Sequence, residues 1–258
     1  MTSQGAIVLV VVCEADADRR IACDLADRVL CREVEWLEPE TLAACRDWRG
    51  LEEGSSHLTW TQAVDLSKES RLKPHGHFEG RPKGPDALAA RRVFFLLRKA
   101  RLRPDAVILV RDSDGNLNRL TGLEQARAEW REPIPIVLGL AHPKREAWVL
   151  AGFEPKDETE KAAVAAARKS LGFDPRTSSH QLHASKHGAL RDAKRVLAEL
   201  TDGRWEREEA CWRESRLELL LERGAENGLA RYVEEVRERL VPLFKGSPAG
   251  SARSADPL

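Results

Sequence analysis

None of the five cysteines, Cys13, Cys23, Cys31, Cys45 and Cys211, stands at C-x-x-C spacing from another, and their number is odd. That argues against a disulfide framework and against a cysteine zinc site. It fits a reducing, cytoplasmic compartment. Long apolar runs are also missing. The run from Ala6 to Cys13 is far too short to span a membrane. It carries no basic leader and no small-residue cleavage site, so no targeting segment is expected. These residues contain no G-x-x-x-x-G-K-[ST] loop, hence no P-loop ATPase. No internal repeat is evident. Net charge is lacking too: 42 Lys and Arg balance 42 Asp and Glu. A neutral total gives no general grip on nucleic acid.

What is present is a globular chain with a heavily ionised surface, 42% hydrophobic and 33% charged. Its 258 residues allow one large domain, or one domain with a smaller helical unit, and a real core. The charge is uneven. Ten Lys and Arg fall between Arg71 and Arg103, against Glu79 and Asp86. Seven acids fall between Glu33 and Glu53, against Arg46 and Arg49.

Ile7 to Cys13 is β-branched and aliphatic, the pattern of a central parallel strand covered on both faces. A helix follows to Leu30, with Asp16 as its expected N-cap and Ile21, Leu25 and Val29 at helical spacing. Val34–Leu37 reads as a weak second strand, and Pro39–Cys45 as a short helix opened by proline. Residues 50–85 read as a long irregular insertion rich in Gly and Pro. Asp86 caps a helix to Ala100. Val107–Val110 is a strand, Leu120–Trp130 a helix, Ile134–Leu140 a strand and Pro143–Ala151 a helix stopped by Gly152. Strand and helix alternation predicts an α/β fold with an open, mainly parallel sheet. Beyond Glu154 only helices are expected: Glu158–Leu171, Leu190–Leu200, Glu206–Leu221 and Glu226–Phe244. The domain reading is therefore residues 1–153 as the catalytic domain and 154–244 as a helical region. Residues 245–258, rich in Ser, Ala, Gly and Pro, read as a disordered tail.

Four acids fall at or just after strand ends: Glu14, Asp112, Asp114 and Glu146. Ligands of open parallel sheets gather at the carboxyl ends of the strands. In Asp112-Ser113-Asp114-Gly115 the alternation of a strand would point both carboxylates the same way. Their repulsion would be relieved by a divalent cation. Hard oxygen ligands suit Mg2+ or Mn2+, and such ions act on phosphate esters. The bland alternative is that each acid caps a solvated turn.

This order of elements resembles the Toprim fold of topoisomerases, bacterial primases and nucleases of the overcoming-lysogenisation-defect type. Glu14 and Asp18 match the motif at the family's first strand, and Asp112 and Asp114 match its Asp-x-Asp. Glu146, in Glu-Ala-Trp-Val-Leu-Ala, is similar to the acid after the fourth strand in small stand-alone members. Ala15 departs from the usual Gly, and Glu38 and Glu40 compete for an acid position after the second strand. The resemblance implies metal ligation by Glu14, Asp18, Asp112, Asp114 and Glu146, with Glu14 also able to act as general acid or base and Glu146 helping a second ion. It implies a nuclease, or a nuclease subunit, cleaving nucleic acid (DNA rather than RNA). It also implies a separate ATPase partner and a place in phage defence. The alternatives are a catalytically inactive Toprim module that binds an ATPase, and a phosphohydrolase of haloacid-dehalogenase type, whose nucleophile loop Asp-Ser-Asp-Gly echoes.

The basic stretch offers Arg81, Lys83, Arg91 and Arg92 as a phosphate-binding face; its alternative is a solvated helix surface. His75 and His77 are further candidates for metal or phosphate. His180, His183, Lys186 and His187 form a second polar segment, in which Lys186 is a candidate to steady developing phosphate charge.

Overall fold

The structure is a computed structural model describing residues 6–52, 54–78, 80–100 and 103–246, with Arg81 described in its backbone only. Residues 247–258 of the expected tail lie outside the described residues.

The first half alternates strands and helices: β1 (Ile7–Cys13), α1 (Asp16–Glu33), α2 (Pro39–Cys45), β2 (Arg46–Arg49), β3 (Leu58–Thr59), α3 (Trp60–Glu69), β4 (His77–Phe78), β5 (Arg81–Pro82), α4 (Ala87–Lys99), β6 (Ala106–Asp112), α5 (Asn118–Ala128), β7 (Ile136–Ala141) and α6 (Arg145–Ala151). The rest is helical: α7 (Glu158–Leu171), a single 3-10 turn at Ser179–Gln181, α8 (Ala193–Thr201), α9 (Trp205–Arg213), α10 (Leu217–Arg223), α11 (Leu229–Arg239) and α12 (Val241–Lys245). The fold is α/β, a parallel sheet flanked by helices and followed by a helical C-terminal region.

The sheet runs β2-β1-β6-β7, all parallel, with β3 pairing the last residues of β1. Strand alternation divides the core in two. Leu9, Val11, Ile108 and Val110 face α1, α6 and the C-terminal helices. Val10, Val12, Val107 and Leu109 face α3, α4 and α5. This explains why β1, and β6 as far as Val110, are apolar at every position. The C-terminal helices share the first core: Tyr232 of α11 is fully buried, stacks on Trp148 of α6 and donates its hydroxyl to Ala22 O in α1 at 2.8 Å.

Local departures from the sequence reading have physical causes. The second strand is Arg46–Arg49, not Val34–Leu37. Val34 instead ends α1 through its N–H to Leu30 O, and Leu37 N–H returns to Val34 O. Within the insertion, Thr59 and Gln62 form a reciprocal cap that starts helix α3. Asp16 lies inside α1; the cap is made by Asp18, whose carboxylate accepts from Ala15 N–H at 2.8 Å. Asp86 precedes α4 without capping it, in the left-handed region at φ 60°. The expected Glu206–Leu221 helix breaks at Ser215, whose hydroxyl bonds Gly152 O at 2.6 Å. Among the described residues, no helix is long and apolar enough to cross a membrane.

Candidate functional site

β1 and β6 are neighbours, so Glu14 and Asp112 emerge at adjacent carboxyl ends of the sheet. Glu146 arrives from the first turn of α6, just beyond β7, and Asp18 from the first turn of α1. These four acids act on one another. Asp112 is pushed up to about 8, first by burial and then by the charges of Asp18, Glu14 and Glu146. Asp18 rises to about 6, chiefly by burial, with Glu14 and Glu146 adding to it. Glu146 is 5% exposed, and its Oε2 is buried with no hydrogen-bond partner.

Asp114 is placed differently. The strand ends at Asp112, so side-chain alternation no longer governs the two residues that follow. Asp114 and Gly115 both take the left-handed conformation, at φ 47° and φ 82°. Asp114 is exposed and pairs with Arg119 at 3.3 Å. Between the two acids, Ser113 is fully buried and ties the turn to the β7–α6 loop. Its N–H donates to Ala141 O at 2.8 Å, and its hydroxyl lies 3.2 Å from Pro143 O and 2.8 Å from His142 Nδ1. The ring of His142 is held below its ordinary pKa by burial and by the nearby His180 and His183. The 180–187 segment thus approaches the same edge of the sheet, although Lys186 itself is exposed.

Arginines stand among the acids. Arg145 donates its backbone N–H to Asp112 Oδ1 at 2.8 Å. Its guanidinium bonds Glu208 of α9 at 3.2 and 3.3 Å and Glu146 Oε1 at 3.3 Å. Burial raises the pKa of Glu208, against the pull of Arg145. Arg111 lies 3.6 Å from Glu14 and 3.4 Å from Asp86; Arg119 lies 3.5 Å from Asp86 and donates to Asp112 O at 3.0 Å. The sequence reading missed Arg111, Arg119, Arg145 and Glu208. Arg111 carried a signal, being a charge inside an apolar strand. Glu208 carried none, because its contacts cross more than fifty residues.

Carboxylates of this kind are the donor set that Mg2+ and Mn2+ take, and Glu146 Oε2 is buried without a hydrogen-bond partner. The residues present therefore fit a divalent ion. Among the described residues, no three His, Cys, Asp or Glu side chains are already drawn together around one point. Glu146 and Glu208 are instead turned to Arg145.

The remaining candidates are dispersed. Arg91 is buried, sits over the Phe78 ring and is committed to Glu129, to His75 O and to His75 Nδ1 at 2.8 Å. It anchors the insertion to α4, and its guanidinium is not offered to a phosphate. Lys83 and His77 are exposed and Arg92 is half-buried. The side chain of Arg81 lies outside the described residues. Glu38 and Glu40 are exposed around the start of α2, and neither is among the charges acting on Asp112 or Asp18. Set against known proteins, the chain matches no family model, no curated protein and no solved structure.

Proposed function

We propose that this protein is a divalent-metal-dependent nuclease of Toprim type, or the nuclease subunit of a larger assembly, cleaving nucleic acid phosphodiesters by attack of water. The observation that carries this reading is the convergence of Glu14, Asp18, Asp112 and Glu146 at one edge of a parallel sheet, where the charges of the other three add to the burial that pushes Asp112 up to about 8. Leaving a buried carboxylate oxygen of Glu146 unpartnered is costly, and a cation relieves that cost.

Asp112, Glu146 and Asp18 are the residues to hold the ion, with Glu14 beside them. A bound Mg2+ or Mn2+ would supply charge neutralisation at the phosphate and activation of water. Glu14 is the more exposed carboxylate and is suited to exchange a proton with solvent or substrate. Arg111 and Arg119 lie against the acids and take the phosphate-steadying role first expected of Lys186. Asp86 braces both arginines. DNA is the expected substrate. A separate ATPase and a place in phage defence belong to the same proposal, by the Toprim resemblance.

The test is incubation of the purified protein with plasmid DNA and with RNA, in Mg2+ or Mn2+, beside Asp112→Ala. Cleavage by the wild type that falls by at least about a hundredfold in the variant is the expected outcome. Cleavage surviving the substitution removes the site. Hydrolysis of a small phosphomonoester without cleavage of nucleic acid would instead favour the dehalogenase-type reading.

A further inference from the structure

Arg145 occupies an unusual position among the acids. Its side chain is 12% exposed. The guanidinium contacts Glu146 Oε1 and Glu208 Oε2, while its Nε lies 4.0 Å from Asp18 Oδ1. The Trp205 ring stands 6.0 Å from it. A planar guanidinium delivers its N–H groups along fixed directions. It serves one oxygen of Glu146 and leaves the other, Oε2, buried and without a partner. One positive charge also faces several carboxylates. The acid cluster is thus only partly satisfied by its resident cation. A divalent ion has twice the charge and no fixed plane, so it is the better ligand for the same oxygens.

Glu208 differs from the other acids in origin. It comes from α9, in the helical C-terminal region, and receives two of the guanidinium N–H groups of Arg145. If Arg145 leaves Glu146 and Asp18, Glu208 still tethers it at the rim of the site. Its remaining donors would then be free of Glu146 and Asp18 and open to an anion that approaches the acids.

We propose that Arg145 is the resident counter-cation of the acid cluster, competes with the divalent ion for Glu146 and Asp18, and on displacement is held by Glu208 as a phosphate-binding group. This rests on the metal-dependent reading above. Ion binding and phosphate binding are then coupled through one side chain. The ion releases the arginine, and the released arginine receives the anion.

Two affinities test this, neither of them an activity. Mn2+ binding is measured by calorimetry or by electron paramagnetic resonance on wild type, Arg145→Gln and Arg145→Lys, each checked for folding by its urea midpoint. Removing a competing charge at contact distance tightens Mn2+ in Arg145→Gln by about tenfold or more, whereas Arg145→Lys stays close to wild type. In saturating Mn2+, inorganic phosphate binds Arg145→Gln about tenfold more weakly than wild type. Glu208→Gln, which loosens the tether and keeps the arginine, weakens phosphate without tightening Mn2+. Equal Mn2+ affinity in wild type and Arg145→Gln overturns the competition and leaves the metal site standing. Unchanged phosphate affinity in both variants overturns the second role. If the wild type binds no Mn2+ at all, the metal-dependent reading falls and this inference falls with it.

Discussion

Asp112 combines three conditions that raise a carboxyl pKa: burial, neighbouring carboxylates and only one backbone N–H, that of Arg145, to oppose them. Its folded pKa, about 8, lies far above the ordinary value for Asp. The sign follows. A proton is held more tightly in the folded state, so the contribution to stability is complete below about pH 4 and is lost as the pH rises to about 8. Asp18, at about 6, adds a loss in the lower part of that window. Asp16, Asp174, Asp192 and Glu160 are held below their ordinary values, so their opposite effects are confined to acid pH, and His57 and His142, also held below theirs, oppose the loss only up to about pH 6.5. With metal chelated by EDTA, the melting temperature should therefore fall from about pH 6.5 to about pH 8.5. Asp112→Asn should remove most of that fall and be the more stable protein at the alkaline end, by on the order of 1–3 kcal/mol. Parallel melting curves for wild type and variant would mean that Asp112 titrates normally.

At the scale of elements, the site depends on α6, which carries Arg145 and Glu146, and among the contacts that hold α6 is a buried residue from far along the chain. Asn227 is fully buried. Its side-chain amide donates to Ala147 O at 2.8 Å and to Ser179 Oγ at 3.0 Å, and its Oδ1 accepts from Leu229 N at 3.0 Å. Its carbonyl accepts from His142 N–H and from Trp148 Nε1, both at 2.9 Å. Asn227→Ala loses the three side-chain bonds and strands buried partners, a cost of roughly 2–4 kcal/mol. A urea midpoint lowered by less than about 1 kcal/mol equivalent would count against this role. No local pattern marks Asn227, which the sequence reading placed inside a helix opening at Glu226, whereas the helix begins at Leu229. What local pattern did mark were the elements buried on both sides: β1, β6 as far as Val110, and β7 are continuous apolar runs, and α1 shows helical spacing. Strand β2, Arg-Asp-Trp-Arg, escaped because it is polar and half-buried, with Arg46 and Trp48 both bonded to Asp27 of α1. Glu14, Asp112 and Glu146 were legible because a strand end is visible in sequence. Arg145 was not, because a basic residue opening a helix looks like surface until Glu208 is placed beside it.

Across the whole molecule, a net charge of zero hides a local excess of one sign. Around the carboxyl edge of the sheet stand Glu14, Asp18, Asp86, Asp112, Asp114, Glu146 and Glu208, answered by Arg111, Arg119 and Arg145. Seven carboxylates share only three guanidinium groups in these contacts, a negative excess even with a proton held on Asp112. A polyanion is repelled from such a cluster until a cation has entered, and the neutral total gives no compensating attraction at long range. The order of binding follows: divalent ion first, nucleic acid second. In fluorescence anisotropy with a labelled oligonucleotide, affinity in EDTA should be at least about tenfold weaker than in Ca2+, an ion of the same charge used here to read binding alone. Added NaCl should weaken the Ca2+-supported complex, since the arginines and any phosphate they meet are screened over about 8–10 Å at moderate ionic strength. Binding in EDTA as tight as in Ca2+ would place the nucleic acid away from this edge, on a surface where the acids do not act.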